Sequence, residues 1–197
     1  MKKTLLIGFI LNLLHLHVKA QVFTQKTDFV DTRNRAFSFA VGNKFYTGTG
    51  RDASGVMNNF MYEYNPSTDV WTQLNDFPTA PVRNCISMVI NDTAYAGFGW
   101  DGTNAIGWYQ YDAGNDSWTV TNSLCNAGQF SGTFTLNGKG YSVCGSGATT
   151  HNQLWEYDPV SDAWNQKANF PGAARDLVFA DTANGYAFAG LGDGFFA

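Results

Sequence analysis

The sequence predicts an all-β protein built from a repeated unit, and three observations carry that reading. The segment YEYNPSTDVW (residues 62–71) returns as YQYDAGNDSW (109–118) and as WEYDPVSDAW (155–164). The closing tryptophans Trp71, Trp118 and Trp164 lie 47 and 46 residues apart, and a fixed period in this range marks a repeat architecture. The 197 residues are 16% aromatic, with 21 glycines and only two glutamates, Glu63 and Glu156, the composition of short strands joined by many turns.

Residues 1–20 stand apart from this pattern. Lys2 and Lys3 precede an apolar run from Leu5 to Leu16, and Val18-Lys19-Ala20 follows ahead of Gln21. The run is too short to span a bilayer, and the arrangement is that of a secretory signal peptide, with His15 and His17 as unusual members. The mature chain is therefore expected to start at Gln21 and to be secreted, outside the cell or into the periplasm, with no membrane span. The net charge of −4 becomes −7 without the three leader lysines, Lys2, Lys3 and Lys19. That balance argues against nucleic acid or an anionic membrane as partner, since both need a basic surface. Three cysteines, Cys85, Cys125 and Cys144, allow at most one disulfide, and their spacing makes no metal knuckle.

The elements follow in order. Val22–Phe29 can be laid over Ala163–Phe170, which puts Phe23 at the tryptophan position, 48 residues ahead of Trp71, and makes it the closing strand of a unit. The first full unit has strands at Ala36–Val41, Phe45–Thr49, Phe60–Tyr64 and Val70–Leu74, with a turn at Gly42-Asn43 and a polar loop over Arg51–Asn58. The second has Cys85–Ile90, Ala94–Phe98, Trp108–Tyr111 and Ser117–Thr121. The third pairs Gly132–Leu136 with Gly140–Cys144 across Asn137-Gly138, the pair best suited to a type I′ hairpin, then adds Leu154–Tyr157 and Ala163–Lys167. Leu177–Asp181 and Tyr186–Ala189 begin a fourth.

In three units a tyrosine (Tyr64, Tyr111, Tyr157) precedes its tryptophan by seven residues, and Gly50, Gly99, Gly145 and Gly190 each follow a tyrosine by four. Together these residues resemble the kelch repeat, over Gln21 to Ala197; the departure is that only the second glycine of the kelch doublet is present. The resemblance implies a kelch-type β-propeller, here partial: about three and a half four-stranded blades plus an N-terminal closing strand. A ring of six units needs roughly 280 residues, so the sequence reads as a segment of a longer propeller, with open blade edges that invite self-association.

Four residues just ahead of the first strands, Arg35, Arg83, Gln129 and Arg175, count 11, 12, 12 and 11 residues before a tyrosine and are expected at equivalent places. Arginines recurring there would ring the channel mouth and hold carboxylates by bidentate bonds, or would tie the inter-blade loops to backbone carbonyls. Arg51, Trp100, Asp101 and His151 lie in the loops between second and third strands, on what the resemblance implies is the same ligand-facing rim. Trp100 is either a platform for a sugar ring or a loop residue folded onto the next blade. Asp101-Gly102-Thr103-Asn104 matches a calcium loop only faintly, without the closing glutamate. Asp69, Asp116 and Asp162 share one turn position and read as structural.

No catalytic constellation, metal site or cofactor is identifiable. Two kelch-type families are enzymes. The copper centre of galactose oxidase needs two histidines, and His151 is the only one after the leader. Sialic acid mutarotase, which the resemblance implies holds a sugar acid in its funnel, remains as an alternative through Arg35, Arg83 and Arg175, with no general acid-base residue identifiable. The leading expectation is a secreted binding module for a protein or glycan ligand; a structural part of a larger surface protein is the third reading.

Overall fold

A computed structural model describes residues 23–102 and 107–193. The leader, the 103–106 part of the suggested calcium loop and the last four residues lie outside them. Every regular element among the described residues is a strand, and no helix there is long and apolar enough to cross a membrane.

Among the described residues, fourteen strands build four antiparallel sheets, each in simple chain order. The first holds β1 (Phe37–Val41), β2 (Lys44–Gly48), β3 (Met61–Asn65) and β4 (Val70–Gln73). The second holds β5 (Ile86–Ile90), β6 (Thr93–Gly97), β7 (Trp108–Asp112) and β8 (Ser117–Thr121). The third holds β9 (Gly132–Leu136), β10 (Lys139–Ser146), β11 (Thr150–Asp158) and β12 (Ala163–Lys167). The fourth has two strands, β13 (Phe179–Ala183) and β14 (Tyr186–Gly190). The strands expected in the repeated units are present within two residues at most ends, and the closing strand expected around Phe23 is not; β10 and β11 run on into the predicted loop, which shrinks to residues 147–149.

The first strands pack side by side, β1 on β5, β5 on β9 and β9 on β13, so the sheets fan out from one axis like the blades of a propeller. Hydroxyls stitch this axis: Ser87 Oγ donates to the Ser38 carbonyl at 2.8 Å, and Thr133 Oγ1 donates to the Ser87 carbonyl at 3.0 Å. The core lies between blades rather than within one. Phe37, Phe39, Met61 and Phe77 of the first sheet and its exit loop meet Ala94, Ala96 and Tyr111 of the second. Met88, Phe98 and Trp108 meet Tyr157 and Trp164 of the third. Sheets expose two apolar faces each, and stacking blade on blade is what buries them.

The repeated Tyr/Trp hairpin has a second job. Each tyrosine hydroxyl donates to the turn aspartate, Tyr64 to Asp69 at 2.6 Å, Tyr111 to Asp116 at 2.9 Å and Tyr157 to Asp162 at 2.8 Å. The same carboxylates accept a backbone N–H from the preceding linker: Thr27 on Asp69 at 3.0 Å, Asn75 on Asp116 at 2.8 Å, Asn122 on Asp162 at 3.0 Å. The aspartates are thus structural, as expected, but they latch one blade to the next rather than only closing their own turn. Thr27 holds the place of Asn75 and Asn122, which fixes Phe23 at the tryptophan register as the alignment proposed. The Phe23 segment itself forms no strand, and Phe23 is fully exposed. In β14, Tyr186 and Phe188 are also mostly exposed.

Phenols of the second strands, Tyr46 and Tyr141, make the packing pH-dependent on the alkaline side. Burial, with help from Glu63, pushes Tyr46 up to about 12; burial and then Glu156 do the same for Tyr141. A pKa raised in the folded state contributes stability that is complete below the unfolded value of about 10 and is lost as pH rises through the folded value. Absorbance at 295 nm should therefore show several of the nine tyrosines ionising only near pH 12, together with loss of near-UV dichroism. Reversible titration of all nine near pH 10 would contradict the inter-blade packing.

Candidate functional site

The candidate site is the end of the axis where each first strand is entered and each second strand is left. Four isolated bridges mark it: Asn34 with Arg51, Arg83 with Trp100, Gln129 with Ser146 and Asp176 with Asp193. At each, the chain leaves the second strand through two residues, the first at positive φ: Thr49-Gly50, Phe98-Gly99, Cys144-Gly145 and Leu191-Gly192. The residue that enters each first strand also takes positive φ, Arg35, Asn84, Phe130 and Leu177 at 62°, 60°, 60° and 54°. Their backbones climb from blade to blade, the Asn84 N–H donating to the Arg35 carbonyl at 2.9 Å and that of Leu177 to Phe130 at 3.0 Å.

This register corrects the expected equivalences. The residues aligned with Arg83 and Gln129 are Asn34 and Asp176, so Arg35 lies one place later and Arg175 one place earlier. The fourth glycine of the series is Gly192, not Gly190, which pairs with Phe179 inside the sheet. The aromatic in phase with Tyr46, Tyr95 and Tyr141 is accordingly Phe188 rather than Tyr186.

Arg175 and the unpredicted Arg33 share a structural task. Arg33 Nη1 donates to the Thr49 carbonyl at 3.1 Å, and Arg175 Nη1 donates to the Leu191 carbonyl at 3.1 Å. Each clamps the kink at the exit of a second strand. His151 and Asn152 are strand residues of β11 rather than loop residues. Asn152 Nδ2 donates to the carbonyls of Phe170 and Gly172, and Asn59 does the same in the first blade. His151 Nδ1 accepts the Gln153 N–H at 3.4 Å, and burial lowers the imidazole's pKa, so it is neutral at neutral pH.

Of the remaining predicted residues, Arg51, Arg83, Trp100 and Gln129 form these bridges and Arg35 follows one of them. Arg83 lies with its guanidinium 4.3 Å from the centre of the Trp100 ring, so the half-buried indole presents one face to a cation. Burial, then the charges of Arg35 and Arg51, lowers the pKa of Arg83. Arg35 stacks 5.6 Å from the Phe130 ring, and Arg51 Nε donates to Asn34 Oδ1 at 3.0 Å. The ion pairs recorded among the described residues involve Arg33, Lys44, Lys139 and Lys167, and none of these three. Asp101 follows Trp100 at the edge of the described stretch. Gln129 turns inward and accepts from Asn84 Nδ2 at 2.6 Å.

Below this rim is a cavity of about 290 Å³, walled by Arg35, Ser38, Asn84, Ser87, Phe130 and Thr133 among others. Asn84 was invisible to the repeat pattern; its one signal is a polar residue placed where the other blades have Arg35, Phe130 and Leu177. Among the described residues no group of three or more His, Cys, Asp or Glu is placed to hold a metal ion, and Cys85, Cys125 and Cys144 are free thiols.

No protein-family model matches the chain, and no curated protein matches it. Among solved structures it is similar to the structure of YjhT, with a TM-score of 0.70 and 17% sequence identity, over 83% of this chain and 60% of that one. The chain thus spans 60% of the length of that structure. At this identity the likeness is one of fold, and the fold is a partial β-propeller of three four-stranded blades and a two-stranded fourth.

Proposed function

We propose that this is a secreted binding module of the kelch type, which presents the axial rim to an anionic group of a protein or glycan ligand. The observation that carries the reading is Arg83 stacked on Trp100 at the rim bridge, close enough to the charges of Arg35 and Arg51 to be disfavoured by them, with Arg35 lining the cavity. Like charges brought together raise one another's energy, and an arriving carboxylate relieves that repulsion while accepting charge-assisted hydrogen bonds.

The sugar-acid-processing alternative, of the sialic acid mutarotase type, draws on Arg35 and Arg83, since Arg175 is bound to the Leu191 carbonyl. It also asks for a group that moves a proton at the reacting carbon. The cavity wall offers hydroxyls, an amide, a thiol and Arg35 for that role, and no carboxylate or imidazole.

Screening the full chain on a glycan array that includes acidic sugars tests both readings. Binding should weaken about tenfold or more with Arg83→Ala and fall with added salt, as charge-assisted contacts at a rim do. Retention by neutral glycans alone, indifferent to Arg83→Ala, would contradict the module. Catalysed anomer exchange of sialic acid, followed by NMR, would replace it with the enzyme.

A further inference from the structure

The open side of the fourth sheet repeats a surface that is filled elsewhere in the chain. Between the first two blades, Phe39, Met61, Phe77, Ala94 and Ala96 cluster around Tyr111 of β7, with Tyr109 packed against them. The Phe77 ring lies 5.3 Å from that of Tyr109, and the Phe39 ring 5.8 Å from that of Tyr111. Two blades further on, the same register places are held by Phe134, Leu154, Phe170, Ala187 and Ala189. With Val143 they line an apolar groove of about 210 Å³ beside β14. Among the described residues β14 pairs with β13 alone, so the edge that takes β7 on β6 is unused on β14. Tyr186–Gly190 carries no charge and no proline, the devices that keep an edge strand from pairing.

We propose that this groove docks an aromatic β-hairpin of a partner chain, whose first strand adds antiparallel to β14 and carries an aromatic residue, an uncharged residue and a tyrosine in succession. Continuity with the contact between the first two blades identifies the occupant, since the groove is walled as the seat of Tyr109 and Tyr111 is. The residue between the two rings is selected as well. In the first and third blades it is Glu63 or Glu156, which accepts from Tyr46 or Tyr141 and pairs with Lys44 or Lys139. The fourth sheet has Phe188 and Tyr186 at those places, so a glutamate would lose both partners. The second blade, with Thr93 in place of the lysine, carries Gln110. The turn of the hairpin has a seat too. Thr27, Asn75 and Asn122 each donate a backbone N–H to the turn aspartate of the blade that follows. Ala168 holds their place after β12, is exposed and lines the groove. The inference rests on the contacts between blades and makes no use of the rim.

The probe is the hairpin that already fills the equivalent contact, a synthetic peptide of residues 107–121, titrated by calorimetry into the full chain. It should bind with equal stoichiometry. Replacing both of its anchors, Tyr109→Ser with Tyr111→Ser, should weaken it about tenfold or more, because buried aromatic anchors carry most of such a contact. Gln110→Glu in the peptide should weaken it about several-fold. Ala189→Glu in the chain, at an exposed position that lines the groove, should abolish binding and leave the melting temperature of the chain unchanged.

No binding of the peptide, or binding that ignores the two tyrosines or Ala189→Glu, would overturn the proposal. Sedimentation of the chain without peptide guards against another occupant: a dimer or larger species that Ala189→Glu disperses would give the groove to a second copy of this chain and overturn the partner hairpin. Equal affinity of the Gln110→Glu peptide would overturn the selection of an uncharged residue between the rings. The comparison of peptides on the unaltered chain needs no variant of it, so the proposal stays testable if Ala189→Glu fails to fold.

Discussion

Truncating Trp108 to alanine is expected to cost about 3–5 kcal/mol, the range for emptying a large aromatic site in a core. Trp108 has no exposed surface, and it is wedged between the second and third blades against Tyr95, Phe98, Tyr157 and Trp164, with ring centres 5.3–6.0 Å away. Its neighbours are held by the sheets on either side, so the void cannot collapse. For a chain of this size the loss corresponds to a fall in melting temperature of about 6–20 °C. Two comparisons isolate the cause. Trp108→Phe should cost much less, because the indole N–H is buried without a partner and phenylalanine removes it. Val120→Ala, on a side chain that is 69% exposed, should change little. A Trp108→Ala chain that melts with the unaltered one would show that the blades do not pack through this residue.

Gly50→Ala is expected to destabilise by about 3 kcal/mol or more, although it adds a single methyl group at this buried kink. The backbone there has φ +93°, outside the conformations open to an L residue without strain, and the new Cβ would lie 2.6 Å from the Asn34 carbonyl oxygen. Asn34 is backbone and is held by its bridge to Arg51, so it cannot swing aside. The Gly50 N–H also donates to the Val82 carbonyl at 2.8 Å, which ties the first blade to the entry of the second. Gly55→Ala makes a matched control: its φ is +86°, and nothing lies within 4 Å of the added atom, so only the conformational part should appear. Denaturant titration of the two variants separates the terms; equal losses would mean that the kink at Gly50 is not packed against the neighbouring strand.

Most of the architecture was legible because its signals are local. Tyr64 and Trp71 pair across β3 and β4, as do Tyr111 with Trp118 and Tyr157 with Trp164, and their turns carry aspartates at positive φ. A hairpin of fixed length needs no distant partner to be recognised. The fourth blade was misread by two residues because Tyr186 offered a better aromatic match than Phe188. Register there is set instead by the Asn184-Gly185 turn, which has positive φ at both positions like Asn137-Gly138. That slip carried through to Gly190 and Arg175.

The site was less legible, for a physical reason. Arg35, Arg51 and Arg83 share one end of the axis only because successive blades bring their strand entries and exits there, and sequence counting cannot tell a side chain that faces the rim from one that clamps a carbonyl. Arg33 and Arg175 look as exposed in sequence as Arg83 does, yet both are bound to the kinks of β2 and β14. Asn84 gave even less warning, since a lone asparagine before Cys85 has no periodicity.

The central claim is that successive sheets meet through their first strands around one axis. A nuclear Overhauser spectrum of the isotope-labelled chain reads this directly. Cross-peaks from Ser38 to Ser87 and from Ser87 to Thr133 are predicted, in keeping with the 2.8 Å and 3.0 Å hydroxyl contacts between these strands. A spectrum in which intact sheets give no contacts between β1, β5 and β9 would contradict the shared axis, and with it the cavity and the rim above it.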